Sequence, residues 1–422
     1  MSLLIRNARL EGNTLDIFIQ ADRFSKIAPD LSEIKADQTI DAKGKAILPS
    51  FFNCHTHAAM TLLRGYADDM ELHTWLNNHI WPMEAKLEPE DVYVGAKLAC
   101  LEMIKTGTTL FNDMYWYLPS TARAVQEMGL RAALSSVFID FDDPLVAEQR
   151  WQGCLDLLAA REKMDSRIIL ALGPHAVYSV SRKSLLQAGE LARNYGLPIH
   201  IHLSETRKEV QDCLEQHGLT PVQYLHELGL LGPNICACHC IWLNERDMDL
   251  LAQHQVHVVH NPASNLKLCS GNFPYTELKK RDINVVLGTD GCSSNNNLDL
   301  LEEMKIAALQ AKATTMDPTT MPAAEIFHAA TLGGAQVFGL QAGKIEEGWL
   351  ADCILVDLNH PQLVPDYHLT SNLVYSANGD CVDTTICNGQ VLMQNRYVPQ
   401  EELVLQEARQ KAERLIRNSP QA

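Results

Sequence analysis

The chain is short of positive charge. Its 422 residues include 35 Lys and Arg against 52 Asp and Glu, which gives a formal net charge of -17 at pH 7. That charge repels phosphate backbones, and no basic stretch interleaved with aromatic residues reverses it locally. We therefore expect no nucleic acid among its partners.

Long apolar runs and targeting signals are also lacking. No run reaches the roughly 18 apolar residues of a membrane span, and the start (Met1-Ser2-Leu3-Leu4-Ile5-Arg6-Asn7) has no basic region followed by a sustained apolar segment. Twelve cysteines are scattered without a framework spacing, which favours reduced thiols. We expect no membrane association and a cytoplasmic location, and the sequence leaves homo-oligomer formation open.

What is present is a regular alternation of short apolar runs and helical patterns. With 46% hydrophobic and 21% charged residues, the composition is typical of a soluble globular enzyme. Strands are predicted at 47–55, 108–113, 131–139, 167–173, 198–203, 234–240, 256–260 and 284–289. Helices are predicted between them, at 92–105, 119–128, 145–162, 183–195, 208–228, 245–254 and 299–313. Eight such units predict an α/β fold, a (β/α)8 TIM barrel, with its active site at the carboxyl ends of the strands.

Two flanks remain outside this barrel. Residues 1–46 and 345–398 contain short strands and turns, and neither flank has enough strands for a core of its own. We therefore predict that they pair into one small β-sandwich domain beside a catalytic barrel at 47–344. The rest, 399–422, is predicted to be a C-terminal helix and tail, with the charged helix at 400–417.

Histidines and an aspartate stand at the carboxyl ends of several predicted strands. His55 and His57 end the first strand, His202 ends the fifth and Asp290 follows the eighth. A Zn²⁺-like ion that activates water needs neutral imidazoles and a carboxylate, with one position left open. A single buried histidine is more often a core residue. Four candidate ligands at the same ends of strands favour a metal site.

Neighbouring residues offer acid–base groups. Glu205 lies just past the fifth strand, where a carboxylate could carry a proton from water to substrate; it could equally be a first-turn acid of the next helix. If His239 points into the barrel mouth, the flanking Cys238 and Cys240 are predicted to face the helices and pack as small apolar groups. His200 is predicted to pack one layer deeper in the barrel.

Several motifs are shared with a known enzyme family. They are Asn53-Cys54-His55-Thr56-His57, Thr61-Leu62-Leu63-Arg64-Gly65, Glu84, Gly173-Pro174-His175, His202-Leu203-Ser204-Glu205-Thr206, Ala237-Cys238-His239-Cys240, Asn261-Pro262-Ala263-Ser264-Asn265-Leu266-Lys267-Leu268 and Gly288-Thr289-Asp290-Gly291-Cys292-Ser293-Ser294-Asn295-Asn296. This set resembles the amidohydrolase superfamily and, within it, the branch of 5'-methylthioadenosine/S-adenosylhomocysteine deaminases. The resemblance continues to Gly343-Lys344-Ile345-Glu346-Glu347-Gly348 and Ala351-Asp352, and so covers nearly the whole chain.

The resemblance implies hydrolytic deamination of an adenosine-type nucleoside to the inosine analogue plus ammonia. One divalent ion, most often zinc, would be held by His55, His57, His202 and Asp290. A single ion is implied because His175 ends the fourth strand, where binuclear relatives carry a carboxylated lysine; His175 would also line the nucleoside pocket. Glu205 would move a proton from the attacking water to a ring nitrogen, and His239 and Asp290 would orient that water and help to protonate the departing ammonia.

The same resemblance implies a substrate pocket. Glu84 would grip the ribose hydroxyls and Trp75 would line the pocket, although from the residues alone both read equally well as the surface of a packing helix. Relatives that accept S-adenosylhomocysteine commonly present arginines at the end of the third strand and in the following loop, to hold the amino-acid carboxylate. Here Ser135-Ser136 stands at the first place, and Arg150 remains as the candidate.

Two other classes of function stay open. A guanine or pterin deaminase, or a triazine chlorohydrolase, would keep the metal residues and change the pocket, and Glu84 disfavours these only through ribose recognition. A non-catalytic scaffold relative of the dihydropyrimidinase type would normally have lost metal ligands, whereas all four are present here. The sequence does not fix the metal, the 5' substituent of the substrate or the oligomeric state.

Overall fold

The computed structural model of the chain describes residues 2–70 and 72–417; Met1 and the end of the predicted tail, 418–422, lie outside the described residues. Eight strands pair in parallel in chain order. These barrel strands, numbered one to eight, are Phe51–Thr56, Thr108–Asp113, Arg131–Phe138, Ile168–Pro174, Ile199–Leu203, Ile235–His239, His257–His260 and Val285–Leu287. The predicted (β/α)8 barrel is therefore confirmed.

Barrel strands eight and one meet through a set of short polar contacts. The Asp290 amide donates to the His55 carbonyl at 3.0 Å. The Asn53 amide group donates to Thr289 Oγ1 at 2.7 Å, and its oxygen accepts from the Thr289 N–H at 3.0 Å. A Cβ at Gly288 would lie only 2.9 Å from the His55 backbone nitrogen, so glycine permits this approach. The same contacts bring Asp290 against His55.

Helices surround the barrel at the seven predicted places, with one correction, and four of the helices, from Pro262–Lys267 onward except Leu300–Thr315, were not predicted. The helices around the barrel are Pro89–Thr106, Leu118–Met128, Pro144–Ala160, Arg182–Tyr195, Arg207–His217, Pro221–Glu227, Glu245–Gln253, Pro262–Lys267, Tyr275–Lys279, Leu300–Thr315, Ala323–Ala330 and Leu332–Val337. The prediction of one helix at 208–228 is wrong, because Gly218 ends the first helix with φ 69° and Thr220 caps a second one that starts at Pro221. None of the described helices is long and apolar enough to cross a membrane.

The two flanks join in one continuous mixed sheet. Its strands are Ser2–Leu10, Asn13–Gln20, Arg23–Ala28, Gln38–Asp41, Lys45–Pro49, Cys353–Asp357, Val382–Cys387 and Gln390–Met393. Strand Lys45–Pro49 runs antiparallel to Cys353–Asp357 and so links the strands of both chain ends. A separate apolar core, which includes Ile5, Ile47 and Leu355, packs within this unit. The predicted pairing of the two flanks is confirmed.

The single strand that the sequence predicts at 47–55 is wrong. The structure divides this run at Ser50 into Lys45–Pro49 of the mixed sheet and Phe51–Thr56 of the barrel. The residues on both sides of the break, Ile47 and Leu48 before it and Phe51 and Phe52 after it, are all apolar, so the pattern carries no mark of the change of sheet. The domain boundary predicted at residue 47 consequently falls inside a strand of the mixed sheet.

The C-terminal helix Glu401–Arg417 packs against Pro89–Thr106. The carboxylate of Asp91, which is fully buried, pairs with the Arg414 guanidinium, and the Lys411 ammonium lies 3.4 Å from Asp91 Oδ1. A buried carboxylate is stabilised by such partners. The last helix is therefore fixed to the helix that follows the active-site loop of the first strand.

Candidate active site

The carboxyl ends of the barrel strands enclose a cavity of about 750 Å³. Eight of the residues predicted from the sequence line it: His57, Trp75, Glu84, His175, His202, Glu205, His239 and Asp290. His55 lies directly beneath them, with its ring centre 4.9 Å from those of His57 and His202. The structure therefore brings the predicted groups together in one site.

Two of the candidate ligands have their tautomers fixed by backbone carbonyls. His57 Nδ1 lies 2.7 Å from the Met114 oxygen, and His202 Nδ1 lies 2.9 Å from the His175 oxygen. Because a carbonyl can only accept, each Nδ1 must carry the proton. Each Nε2 then presents a lone pair to the cavity, which is the form of imidazole that binds a metal ion.

The remaining candidate ligands face the same point. Nε2 of His55 and Nε2 of His57 each lie 3.3 Å from Asp290 Oδ1. Within the described residues, His55 Nε2 is buried and has no hydrogen-bond partner. An unpartnered buried nitrogen beside a carboxylate fits a divalent cation.

Beneath this group the structure corrects two predictions. His200 does more than pack: its Nε2 lies 2.7 Å from His55 Nδ1, and its Nδ1 lies 3.2 Å from Ser135 Oγ. Cys238 was predicted to face the helices, yet its sulfur lies within 4.8 Å of nitrogens of His55 and His200. Cys238 faces inward, and the left-handed backbone at His239, with φ 72°, breaks the alternation of side chains and lets His239 reach the cavity as well.

Glu205 and His239 form the acid–base part of the site. Glu205 Oε2 lies 3.8 Å from His239 Nε2, and Glu205 Oε1 lies 3.4 Å from Ser270 Oγ. Burial raises the pKa of Glu205 above its usual value. His239 Nδ1 lies 2.8 Å from Asn265 Oδ1, to which it can donate, and 3.3 Å from Asn261 Nδ2. His239 Nε2 faces the cavity and Glu205.

Two supporting residues were not assigned a role from the sequence. Ser264 Oγ donates to Asp290 Oδ2 at 2.7 Å, and Asn265 orients His239. Both lie just beyond strand seven, which ends at His260. That position is the signal that could have found them, since the carboxyl end of every strand faces the same site.

Trp75 and Glu84 belong to the cavity wall and not to an exposed helix. They lie in the loop after strand one, whose helical segments, absent from the predictions, are Leu72–Trp75, Leu76–Ile80 and Trp81–Glu84. The buried Trp75 indole donates to the Ala67 oxygen at 2.9 Å. The Trp116 indole donates to Glu84 Oε2 at 3.5 Å, and burial raises the pKa of Glu84.

Arg150 and the serine pair lie outside the main cavity. The Arg150 guanidinium sits 4.8 Å from the centre of the Trp116 ring, in an adjoining pocket of about 1190 Å³ that shares Trp116 and Ile139 with the cavity. Ser135-Ser136 does not line the cavity, because Val137 and Ile139 are the third-strand residues that face it. The place assumed for a carboxylate-binding arginine is therefore not in the cavity wall.

The sequence matches the amidohydrolase family over residues 46–392. It is 45% identical to 5-methylthioadenosine/S-adenosylhomocysteine deaminase 1 of Archaeoglobus fulgidus over 98% of this chain and 99% of that protein. It is 49% identical to 5'-deoxyadenosine deaminase of Methanoregula boonei over 99% of this chain and 96% of that protein. A crystal structure of an adenosine deaminase from Xanthomonas campestris with bound zinc superposes with a TM-score of 0.92, at 34% identity over 98% of both chains. The chain belongs to the amidohydrolase family.

Proposed function

We propose that this protein is a metal-dependent deaminase of adenosine-type nucleosides. Its substrates would be 5'-deoxyadenosine, 5'-methylthioadenosine, adenosine or S-adenosylhomocysteine, and its products the inosine analogue and ammonia. The observation that carries the proposal is the half-buried Glu205 carboxylate, which lines one cavity together with the inward-facing histidines and Asp290. The deaminase names of the similar proteins support the same reaction.

One divalent ion, with Zn²⁺ as the expected metal, would be held by His55, His57, His202 and Asp290. When bound, the ion supplies a water molecule that is activated for attack at neutral pH. A second ion would need a bridging carboxylate, such as a carboxylated lysine, at the end of strand four. That place is taken by His175, whose Nδ1 contacts Ser179 Oγ at 2.8 Å and whose pKa burial lowers to about 3. The zinc named for the Xanthomonas structure supports this choice of metal.

The protein's own groups would move the protons. Glu205 takes a proton from the attacking water and delivers it to a ring nitrogen of the purine, so that the carbon bearing the amine becomes electrophilic. Its pKa, raised by burial, suits this role, because a more basic carboxylate takes a proton from water more readily. His239 Nε2 lies 3.8 Å from Glu205 Oε2; together with Asp290, it would orient the water and help to pass the second proton of that water to the departing amine.

The walls of the cavity suit a nucleoside. Trp75, Tyr115 and Trp116 present apolar and aromatic surface to a planar base. Glu84, held by the Trp116 indole, can accept hydrogen bonds from both ribose hydroxyls, because an ionised carboxylate is an acceptor with two oxygens. The 5' substituent would then extend toward the adjoining pocket that contains Arg150.

Cytoplasmic location remains part of the proposal. All twelve cysteines lie among the described residues, each thiol is free, and eleven are buried. Free thiols in this number are usual in a reducing compartment.

The proposal is tested with the metal-loaded protein by measuring ammonia release from a panel of nucleosides and bases, and chloride release from a chlorotriazine. We expect turnover of the adenosine-type nucleosides and little with guanine, a pterin or a chlorotriazine. Glu84→Gln should raise KM for nucleosides and leave the weak turnover of free adenine unchanged, because adenine has no ribose. Faster turnover of guanine or of the triazine than of any adenosine nucleoside would contradict the proposal.

A further inference from the structure

The turn between strand five and the next helix is held by a buried carboxylate. Glu209 lies in the first turn of helix Arg207–His217 and is only 4% exposed. Its Oε1 accepts the Ser204 N–H and its Oε2 accepts the Glu205 N–H, each at 2.8 Å. Its own N–H donates to Thr206 Oγ1 at 3.1 Å, which caps the helix. Both carboxylate oxygens are thus used on two consecutive backbone amides.

This turn is strained and is held from its other side as well. Ser204 has φ 51°, a left-handed conformation that side chains other than glycine rarely adopt. The Ser204 carbonyl accepts the N–H groups of Ile241 and Trp242, at 3.0 and 2.9 Å. A backbone that is unfavourable on its own is therefore kept in place by bonds to its amides and to its carbonyl.

The side chain of Glu205 depends on this backbone for its position. Among the described residues, the polar contacts of its carboxylate are long, 3.4 Å to Ser270 Oγ and 3.8 Å to His239 Nε2. Such contacts hold a side chain weakly. The direction in which Glu205 enters the cavity is accordingly set by the turn and not by the groups around its carboxylate.

We propose that Glu209 is a positioning residue for Glu205. By accepting both amides, its carboxylate fixes the turn so that the Glu205 carboxylate stays where proton transfer requires it. This inference rests on the proposed deaminase function. Displacement of a reacting group by about 1 Å can lower the rate roughly 100-fold. A glutamine at this place would offer one acceptor oxygen and would turn an N–H group toward the other amide, so it cannot keep both bonds.

Asp247 provides a matched control in the neighbouring barrel unit. It occupies the same first-turn position in helix Glu245–Gln253, after strand six, and is fully buried. Its Oδ2 accepts the Asn244 N–H at 3.0 Å and its Oδ1 accepts the Thr220 hydroxyl at 2.6 Å. It does not line the cavity. Asp247→Asn therefore removes a buried helix-capping carboxylate without touching the turn that carries the general base.

The first experiment compares kinetics. For Glu209→Gln we expect kcat to fall roughly 10- to 100-fold, with KM and bound metal close to wild type. Glu209→Asp keeps the charge but is one methylene shorter, so its kcat should lie between those of wild type and Glu209→Gln. It replaces the glutamine variant in this test if that variant does not fold. Asp247→Asn should lower the unfolding temperature and leave kcat unchanged. An unchanged kcat in soluble, metal-loaded Glu209→Gln would overturn the proposal.

The double variant separates positioning from independent action. If Glu209 acts through Glu205, adding Glu209→Gln to Glu205→Gln should cause no further loss of kcat. Losses that multiply in the double variant would contradict the proposal.

Hydrogen exchange tests, without any substrate, the clamp that the Glu209 carboxylate forms with the amides of Ser204 and Glu205. The amides of Ser204 and Glu205 should exchange faster in Glu209→Gln and keep their wild-type rates in Asp247→Asn. Unchanged exchange in Glu209→Gln would show that the clamp does not hold the turn. If wild type deaminates no nucleoside, the proposed function fails while this readout still tests the clamp.

Discussion

Replacing Gly288 by alanine perturbs the contact that closes the barrel and places Asp290. The new Cβ would lie 2.5 Å from Asn261 Oδ1, 2.8 Å from His55 Cβ and 2.9 Å from the His55 nitrogen. Ordinary contacts begin near 3.4 Å. The backbones must therefore separate by roughly 0.5 to 1 Å, since a close-packed interior offers little space. The backbone at the end of strand eight cannot easily move away, because the Gly288 N–H also donates to the His260 oxygen at 3.0 Å.

We expect this backbone displacement to move the proposed metal ligands. Asp290 follows Gly288 by two residues, and its Oδ1 lies 3.3 Å from both His55 Nε2 and His57 Nε2. Metal sites tolerate ligand displacements of about 0.2 Å. We expect Gly288→Ala to weaken metal binding roughly 10- to 100-fold, by analogy with the loss of supporting contacts. Overpacking should also lower the free energy of unfolding by about 1 to 3 kcal/mol.

Gly153→Ala is the control for this substitution. Gly153 lies in helix Pro144–Ala160, and its Cβ would meet nothing within 4 Å. Alanine should be neutral there or stabilise the helix by up to about 1 kcal/mol. The assay is a Zn²⁺ titration against a chromophoric chelator, with thermal unfolding measured separately in excess chelator. Wild-type zinc affinity together with wild-type unfolding in Gly288→Ala would refute the reasoning.

Three further predictions concern charged groups. Glu205→Gln should keep metal and substrate binding but lose roughly 10²- to 10⁴-fold in kcat, because the amide cannot carry the proton; steady-state activity within a few-fold of wild type would show that another group transfers it. Arg150→Ala should lower kcat/KM for S-adenosylhomocysteine alone, because this substrate carries the carboxylate that pairs with the guanidinium. One partly exposed ion pair is worth roughly 1 kcal/mol, so the wild-type kcat/KM for 5'-deoxyadenosine should be at least equal to that for S-adenosylhomocysteine. A tenfold preference of wild type for S-adenosylhomocysteine, or an equal loss of kcat/KM for all substrates in Arg150→Ala, would reject this prediction. Burial raises the pKa of Glu303 from 4.5 to about 8, so the folded chain holds this proton more tightly than the unfolded chain. The unfolding temperature of wild type should therefore fall relative to Glu303→Gln as pH rises from 4.5 to 8, and a constant difference would count against it.

The barrel and the ligand set could be predicted from the sequence for one physical reason. Carboxyl ends of parallel strands meet on one face of a barrel, so ionisable residues that end successive apolar runs must converge. His57, His202 and Asp290 follow this rule, and so do Ser264 and Asn265, to which the rule was not applied. The spacing of apolar residues and the identity of the residue that ends each run are local features, and both can be read from a single sequence.

The features that could not be predicted depend on contacts across the fold. The break at Ser50 has apolar residues on both sides, so the two sheets look alike in the sequence. Cys238 faces inward in register with His202, and the left-handed backbone at His239 lets the next side chain reach the cavity as well, which no spacing reveals. The helical segments that carry Trp75 and Glu84 are short and irregular, so their apolar pattern is weak. Whether Ser136 or Val137 faces the cavity depends on the register of strand three.

The central claim is that one metal ion in this site, acting with Glu205, deaminates an adenosine-type nucleoside. The most direct test strips the protein of metal and adds Zn²⁺ back while ammonia release from 5'-deoxyadenosine is followed. Activity should rise linearly and stop at about one ion per chain, and Glu205→Gln should bind the same amount of zinc without gaining activity. Activity that persists in chelator, or that requires two ions per chain, would contradict the account.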